Sequence, residues 1–254
     1  MKKIAAASLL ALLGVATQAH AHELWVLGKN SSALQADIHY GHNFSEPELI
    51  APERLSIFEP IKVVGKNYQE VLTQKGENYH YEGKKLDKGT YLLLAQYKPT
   101  TWLTLADGKS AIGKTRKDAA DAKRCLLATM TGKSILAVNG GGDDDFVGSP
   151  VTKEMEFIPL VKPSEIKQGV AVKFRLVRDG KPMKTAQVFG SYAGFAKDSE
   201  NTGAFYARTD LNGEFEFKAP VKGQWFVKST VDGESGNADC ENRRDKASLS
   251  FMVY

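Results

Sequence analysis

Val170-Ala171-Val172-Lys173-Phe174-Arg175-Leu176-Val177-Arg178-Asp179-Gly180-Lys181-Pro182 is a run of strand formers that ends in an Asp-Gly turn. β-Branched and aromatic residues suit a pleated, half-buried surface, and Asp-Gly and Pro mark the reversal that follows. The pattern recurs downstream. Ala186–Tyr192 is a further strand, and Thr209-Asp210-Leu211-Asn212-Gly213 is a tight hairpin turn into Glu214-Phe215-Glu216-Phe217. Gly223–Lys228 and Leu249–Val253 close the series, and Met155-Glu156-Phe157-Ile158-Pro159-Leu160 leads into it. Six or seven short strands at intervals of roughly 8–15 residues, with Asp-Gly and Asn-Gly turns, predict an immunoglobulin-like or transthyretin-like β-sandwich over residues 151–254.

Strand signals also dominate residues 22–150. Leu34, Ala36, Ile38 and Tyr40 alternate with Gln35, Asp37 and His39, a half-buried strand at period two. Tyr91–Tyr97 is the most apolar strand of this half, and Trp102–Leu105 follows the Pro99 break. One segment reads as helix. Between Thr115 and Met130, Ala119, Ala122, Leu126 and Met130 recur at three-to-four spacing. Gly140-Gly141-Gly142-Asp143-Asp144-Asp145 reads as a solvated acidic loop. The expected fold is therefore mainly β, two sandwich-like domains with one helix in the first.

The amino terminus has the three parts of a secretory leader. Lys2 and Lys3 are basic, Ile4–Ala16 is apolar but too short to span a membrane, and Ala19-His20-Ala21 fits cleavage after Ala21. The expectation is export to the periplasm, with residues 1–21 removed and His22 as the new terminus. Cleavage after Ala19 would instead leave His20-Ala21-His22. Loss of Lys2 and Lys3 takes the formal charge from +4 to about +2, and no basic block points to nucleic acid. The two cysteines, Cys125 and Cys240, form an even pair in an oxidising compartment and are expected to be bridged. No Cys/His zinc spacing, EF-hand spacing, phosphate loop or Gly-x-Ser-x-Gly elbow is present.

Four of the five histidines lie in the first 42 residues. A terminal amine and an imidazole on His22 form a bidentate chelate for a late transition metal. If the strand after His22 pairs with the one that ends at Gly41, the imidazoles of His22 and His42 converge. Glu23, Asp37 or His39 is then a candidate for a fourth ligand or an outer hydrogen bond. The candidate metal ligands are His22, His42 and His39, with His80 a weaker candidate.

The residues His22-Glu23-Leu24-Trp25, Tyr40-Gly41-His42, Met155–Leu160, Asp179–Pro182, Thr209–Phe215 and Gly223-Gln224-Trp225 carry a family resemblance. The chain resembles the periplasmic proteins of domain of unknown function 4198, a family associated by name with nickel uptake. The resemblance implies a periplasmic protein that binds or delivers Ni²⁺ or Co²⁺ for an uptake system. The first reading is therefore a non-enzymatic metal-binding protein that passes the ion to membrane components, and the nitrogen donors at the terminus also suit Cu²⁺. Two rivals belong to other classes. One is an oxidative copper enzyme built on a terminal histidine brace, and the other is a metal-free sandwich that serves as scaffold or adhesin.

Overall fold

The computed structural model describes residues 22–76, 79–142, 144–195 and 203–254. The expected leader, residues 1–21, and Asp143 of the acidic loop lie outside the described residues. The first half contributes β1 (Glu23–Asn30), β2 (Leu34–Gly41), β3 (Lys62–Gly65), β4 (Tyr68–Val71), β5 (Thr73–Gln74), β6 (His80–Gly83), β7 (Gly89–Thr104), β8 (Ser110–Ile112) and β9 (Arg124–Val138). The second half contributes β10 (Glu156–Pro159), β11 (Ala171–Arg178), β12 (Lys181–Pro182), β13 (Gln187–Tyr192), β14 (Phe205–Arg208), β15 (Glu214–Lys218), β16 (Gly223–Asn237) and β17 (Cys240–Val253).

The strands form three sheets in a sandwich-like arrangement. Two are small, β1-β2-β6-β5 and β10-β11-β12 with β15 on β11. The third has nine strands in the order β14-β13-β16-β17-β9-β7-β3-β4, with β8 on β7. The fold is mainly β, as the strand spacing predicts. In β11, Val172, Phe174 and Leu176 are buried, and β15 pairs with it so that Phe217 faces Val172 and Phe215 faces Phe174. The hairpin turn before β15 is held by Asp210, whose carboxylate accepts the N–H groups of Asn212 and Glu214 at 2.8 Å each. Gly213 has φ +73°, and a Cβ there would stand 2.6 Å from the Leu176 carbonyl oxygen, so only glycine fits.

Each half has its own apolar core. One contains Leu24, Ile38, Tyr40, Phe58, Leu93 and Tyr97, the other Phe157, Phe174, Phe217, Trp225, Leu249 and Phe251. The large sheet runs through both, because β9 and β17 pair in parallel from Leu126 and Asn242 to Ser134 and Ser250.

The expected helix over Thr115–Met130 is absent. Residues 115–123 are turns, and Arg124 opens the 15-residue strand β9. Among the described residues the only helical pieces are 3₁₀ segments, Pro52–Ile57, Asp145–Gly148 and Pro163–Glu165. The physical reason is the position of β9 between β7 and β17. A central strand covered on both faces is buried almost continuously and shows no alternation. Ala128–Ser134 is one unbroken buried stretch. Of the residues that suggest the helix, Leu126 and Met130 belong to β9, whereas Ala119 and Ala122 lie in the turns before it and pack beside Cys125 and Cys240. Cys125 and Cys240 form a disulfide that joins the starts of β9 and β17 across 115 residues, worth about 4–5 kcal/mol in the chain-entropy view.

Candidate metal centre

The register of β1 against β2 builds the site. Glu23 faces Gly41 and Leu24 faces Tyr40, so one further step sets His22 opposite His42. Both positions are even, on the face that carries the buried Leu24, Ile38 and Tyr40. Their rings lie 4.2 Å apart at 44°. His22 also stacks on Tyr40 at 4.6 Å, nearly parallel.

Glu48 completes the cluster from the loop after β2. The Glu48 N–H donates to the Tyr40 carbonyl at 2.8 Å. A Cβ on Gly41 would stand 3.2 Å from the Glu48 nitrogen and Cγ, so the bare glycine lets this loop lie against the strand. One carboxylate oxygen meets His22 Nε2 at 3.2 Å. The other accepts the His42 N–H at 3.0 Å and pairs with His42 Nδ1. Ligand atoms of His22, His42 and Glu48 all lie within 4.8 Å of one another.

The far half of the chain holds His22 in place. Lys246 Nζ donates to the His22 carbonyl at 2.9 Å and to Glu23 Oε1 at 3.2 Å, and Lys228 Nζ reaches the same oxygen at 3.3 Å. Ser248 Oγ donates to the Leu24 carbonyl at 2.5 Å. Arg54, from the 3₁₀ segment Pro52–Ile57, closes the other side. Its Nη1 lies 3.5 Å from His22 Nδ1 and 3.2 Å from the Tyr40 hydroxyl. The guanidinium lies 5.7 Å from the Tyr40 ring and 5.6 Å from the Trp102 ring.

These surroundings favour the neutral form of His22. Burial, then the neighbouring His42 and Arg54, push its imidazole below its ordinary value, with Glu48 opposing. Burial also works against the charge on Glu48, but the hydrogen bonds from His42 and the nearby imidazoles outweigh it and hold the carboxyl below its usual range. A neutral imidazole and an ionised carboxylate are the forms that ligate a metal.

Of the residues the sequence singles out, the structure brings His22 and His42 together and leaves His39 elsewhere. His39 occupies an odd position of β2, opposite Trp25, and stacks on that ring at 5.7 Å. Its Nδ1 and Trp25 Nε1 are buried without a hydrogen-bond partner among the described residues. His80 Nδ1 pairs with Asp37 at 2.7 Å, and Glu23 is engaged by the two lysines. Sequence reasoning did not single out Glu48 or Arg54. The available signal is Gly41-His42 followed within six residues by Pro47-Glu48, a glycine-permitted return loop that ends on a carboxylate.

Two imidazoles and a carboxylate make a mixed nitrogen–oxygen donor set that suits Ni²⁺, Co²⁺, Cu²⁺ or Zn²⁺ and leaves coordination positions for other ligands. The donor set fits the divalent metal that the resemblance implies.

A family model described as "Domain of unknown function (DUF4198)" matches residues 19–233. Similar solved structures include a DUF3823 family protein from Bacteroides uniformis ATCC 8492, 12% identical over 77% of this chain and 90% of that one, with TM-score 0.24. The D0-D1 domain of intimin is 11% identical over 90% of this chain and 97% of that one, with TM-score 0.21. The fibronectin(III)-like modules of Clostridium thermocellum CbhA are 10% identical over 90% and 94%, with TM-score 0.21. No curated protein matches the chain.

Proposed function

The chain belongs to the DUF4198 family, and on that premise we propose that it is a periplasmic carrier of a divalent transition metal, with His22, His42 and Glu48 as its ligands. One observation supports this reading most. Two imidazoles from paired strands and a loop carboxylate meet with all ligand atoms within 4.8 Å. Ni²⁺ and Co²⁺ are the proposed cargo, and Cu²⁺ is accepted by the same donors. Removal of residues 1–21 adds the His22 amine as a further nitrogen.

Binding rearranges the protons of the site. Each neutral imidazole offers the lone pair of one ring nitrogen and keeps its proton on the other, and the carboxylate turns from hydrogen-bond acceptor to ligand. The Glu48 side chain is 43% exposed, so the metal sits at the surface and within reach of a membrane transporter. His22 is fixed through its backbone by Lys246, which preorganises one ligand while the loop ligand adjusts.

Calorimetric titration of the exported protein with Ni²⁺ tests the reading. One equivalent should bind at neutral pH, and affinity should fall steeply toward about pH 5 as the imidazoles protonate. His42→Ala and Glu48→Ala should each weaken binding by about 10- to 100-fold or more. Variants that bind Ni²⁺ as tightly as the native protein would overturn the assignment.

A further inference from the structure

The imidazole of His22 lies between two partners of opposite charge. Glu48 stands at Nε2 at 3.2 Å and Arg54 Nη1 at Nδ1 at 3.5 Å. A guanidinium only donates and does not lose its proton in proteins. Nδ1 therefore turns its lone pair to Arg54, and the ring proton sits on Nε2, facing Glu48. A metal needs one of these lone pairs. Bound at Nδ1, it takes the place of Arg54. Bound at Nε2, it sends the ring proton to Nδ1, where an N–H would face the N–H groups of Arg54. In both cases Arg54 must leave His22, and a fixed positive charge stays beside a divalent cation.

Arg54 is only half-buried and keeps the Tyr40 hydroxyl, and an anionic group on the cargo would give it a charged partner in place of His22. Its guanidinium is already oriented beside the faces of Tyr40 and Trp102, at 5.7 and 5.6 Å, with the Tyr40 hydroxyl at 3.2 Å. A planar fork held in this way beside a hydroxyl suits a carboxylate, which it grips through two parallel hydrogen bonds. Charge gives the same answer. Arg54 and Glu48 cancel, so a bare divalent ion leaves the pocket at +2, whereas an anionic co-ligand offsets that excess. The three protein donors also leave coordination positions that such a co-ligand fills.

We propose that the cargo is a metal chelate, a divalent ion carried on a small polycarboxylate, with the metal on His22, His42 and Glu48 and a free carboxylate on Arg54 and the Tyr40 hydroxyl. This rests on the metal reading above. Arg54 selects for the chelate by disfavouring the bare ion.

Radiolabelled citrate with Ni²⁺ tests this by gel filtration, alongside calorimetry with Ni²⁺ alone. The native protein should retain one citrate per nickel, and retain no citrate without nickel. Arg54→Gln should lose the citrate and bind bare Ni²⁺ about tenfold more tightly, because a nearby positive charge is gone. Arg54→Lys, which keeps the charge but not the fork, should also lose most of the citrate while binding bare Ni²⁺ no better than the native protein. From a mixture of Ni²⁺ and citrate, native protein that retains nickel but no citrate overturns the chelate and leaves the metal reading standing. So does citrate retained equally by Arg54→Gln, or citrate retained without nickel. No binding of either form by any variant overturns both readings together.

Discussion

Two clusters of charged side chains bridge neighbouring segments of this protein, and they differ in what is left over. Lys133 in β9 and Glu156 in β10 meet at 2.6 Å with no exposed side-chain surface on either. Glu156 uses its second oxygen on the N–H groups of Val151 and Thr152, at 2.9 Å each. The pair is sealed and its acceptors are spoken for. Glu48 likewise links two elements, but it stands 43% exposed and faces two imidazoles that have lone pairs to offer. A closed polar network fixes the position of a backbone segment. An open one, with ligating atoms in reach of solvent, is free to exchange protons for a cation.

Breaking the sealed pair should have the largest effect. Lys133→Met leaves a buried carboxylate without its counter-charge, which costs about 3–5 kcal/mol. Urea unfolding checks this. The double variant Lys133→Met with Glu156→Leu should recover only part of the loss, because Val151 and Thr152 then lose the acceptor of their N–H groups. Full recovery would mean that the carboxylate contributes nothing to the chain between the 3₁₀ segment Asp145–Gly148 and β10.

The open cluster should respond the opposite way. Glu48→Gln keeps the shape and one acceptor oxygen, and the pairs it breaks are exposed to solvent and worth little. Stability should change by less than about 1 kcal/mol, while Ni²⁺ affinity falls by about tenfold or more. Thermal melts and titration of the same preparation separate the two. A large stability loss with unchanged affinity would make Glu48 a structural clamp like Glu156.

The two clusters were unequally legible in the sequence. Where a strand has one buried face, alternation shows it. Leu34, Ala36, Ile38 and Tyr40 are all buried in β2, and the same parity puts His22 and His42 on one face once β1 pairs with β2. Where a strand is covered on both faces, the signal vanishes, and the start of β9 reads as helix because Leu126 and Met130 continue the spacing of Ala119 and Ala122 from the turns before it. Lys133 lies just past that misread segment, in the part of β9 where Ala128–Ser134 are all buried, so no alternation marks it as buried. Glu48 and Arg54 come from a loop and a 3₁₀ turn, which have no period to read. Their placement depends on how closely the loop can approach Gly41. The disulfide was legible from the cysteine count and the expected oxidising compartment, with no geometry needed.

The smallest expected effect concerns His39, which sits on the face of β2 opposite the cluster. Burial against Trp25 pushes its imidazole below the ordinary 6.5, with Asp37 opposing. The folded state then binds its proton less readily than the unfolded chain does. His39 therefore contributes stability that is full above about pH 6.5 and is lost as pH falls through the lowered value. His22, also lowered, acts in the same window, whereas Glu48 is held below 4.5 and loses its share only in more acid solution. Melting temperature should therefore decline from about pH 7 to about pH 5. His39→Gln should flatten part of that decline and leave Ni²⁺ affinity at pH 7 unchanged, because His39 faces away from His22 and His42. An unaltered slope would show that His39 does not carry the pH dependence. A weakened Ni²⁺ site would mean that the two faces of β2 are coupled through Trp25.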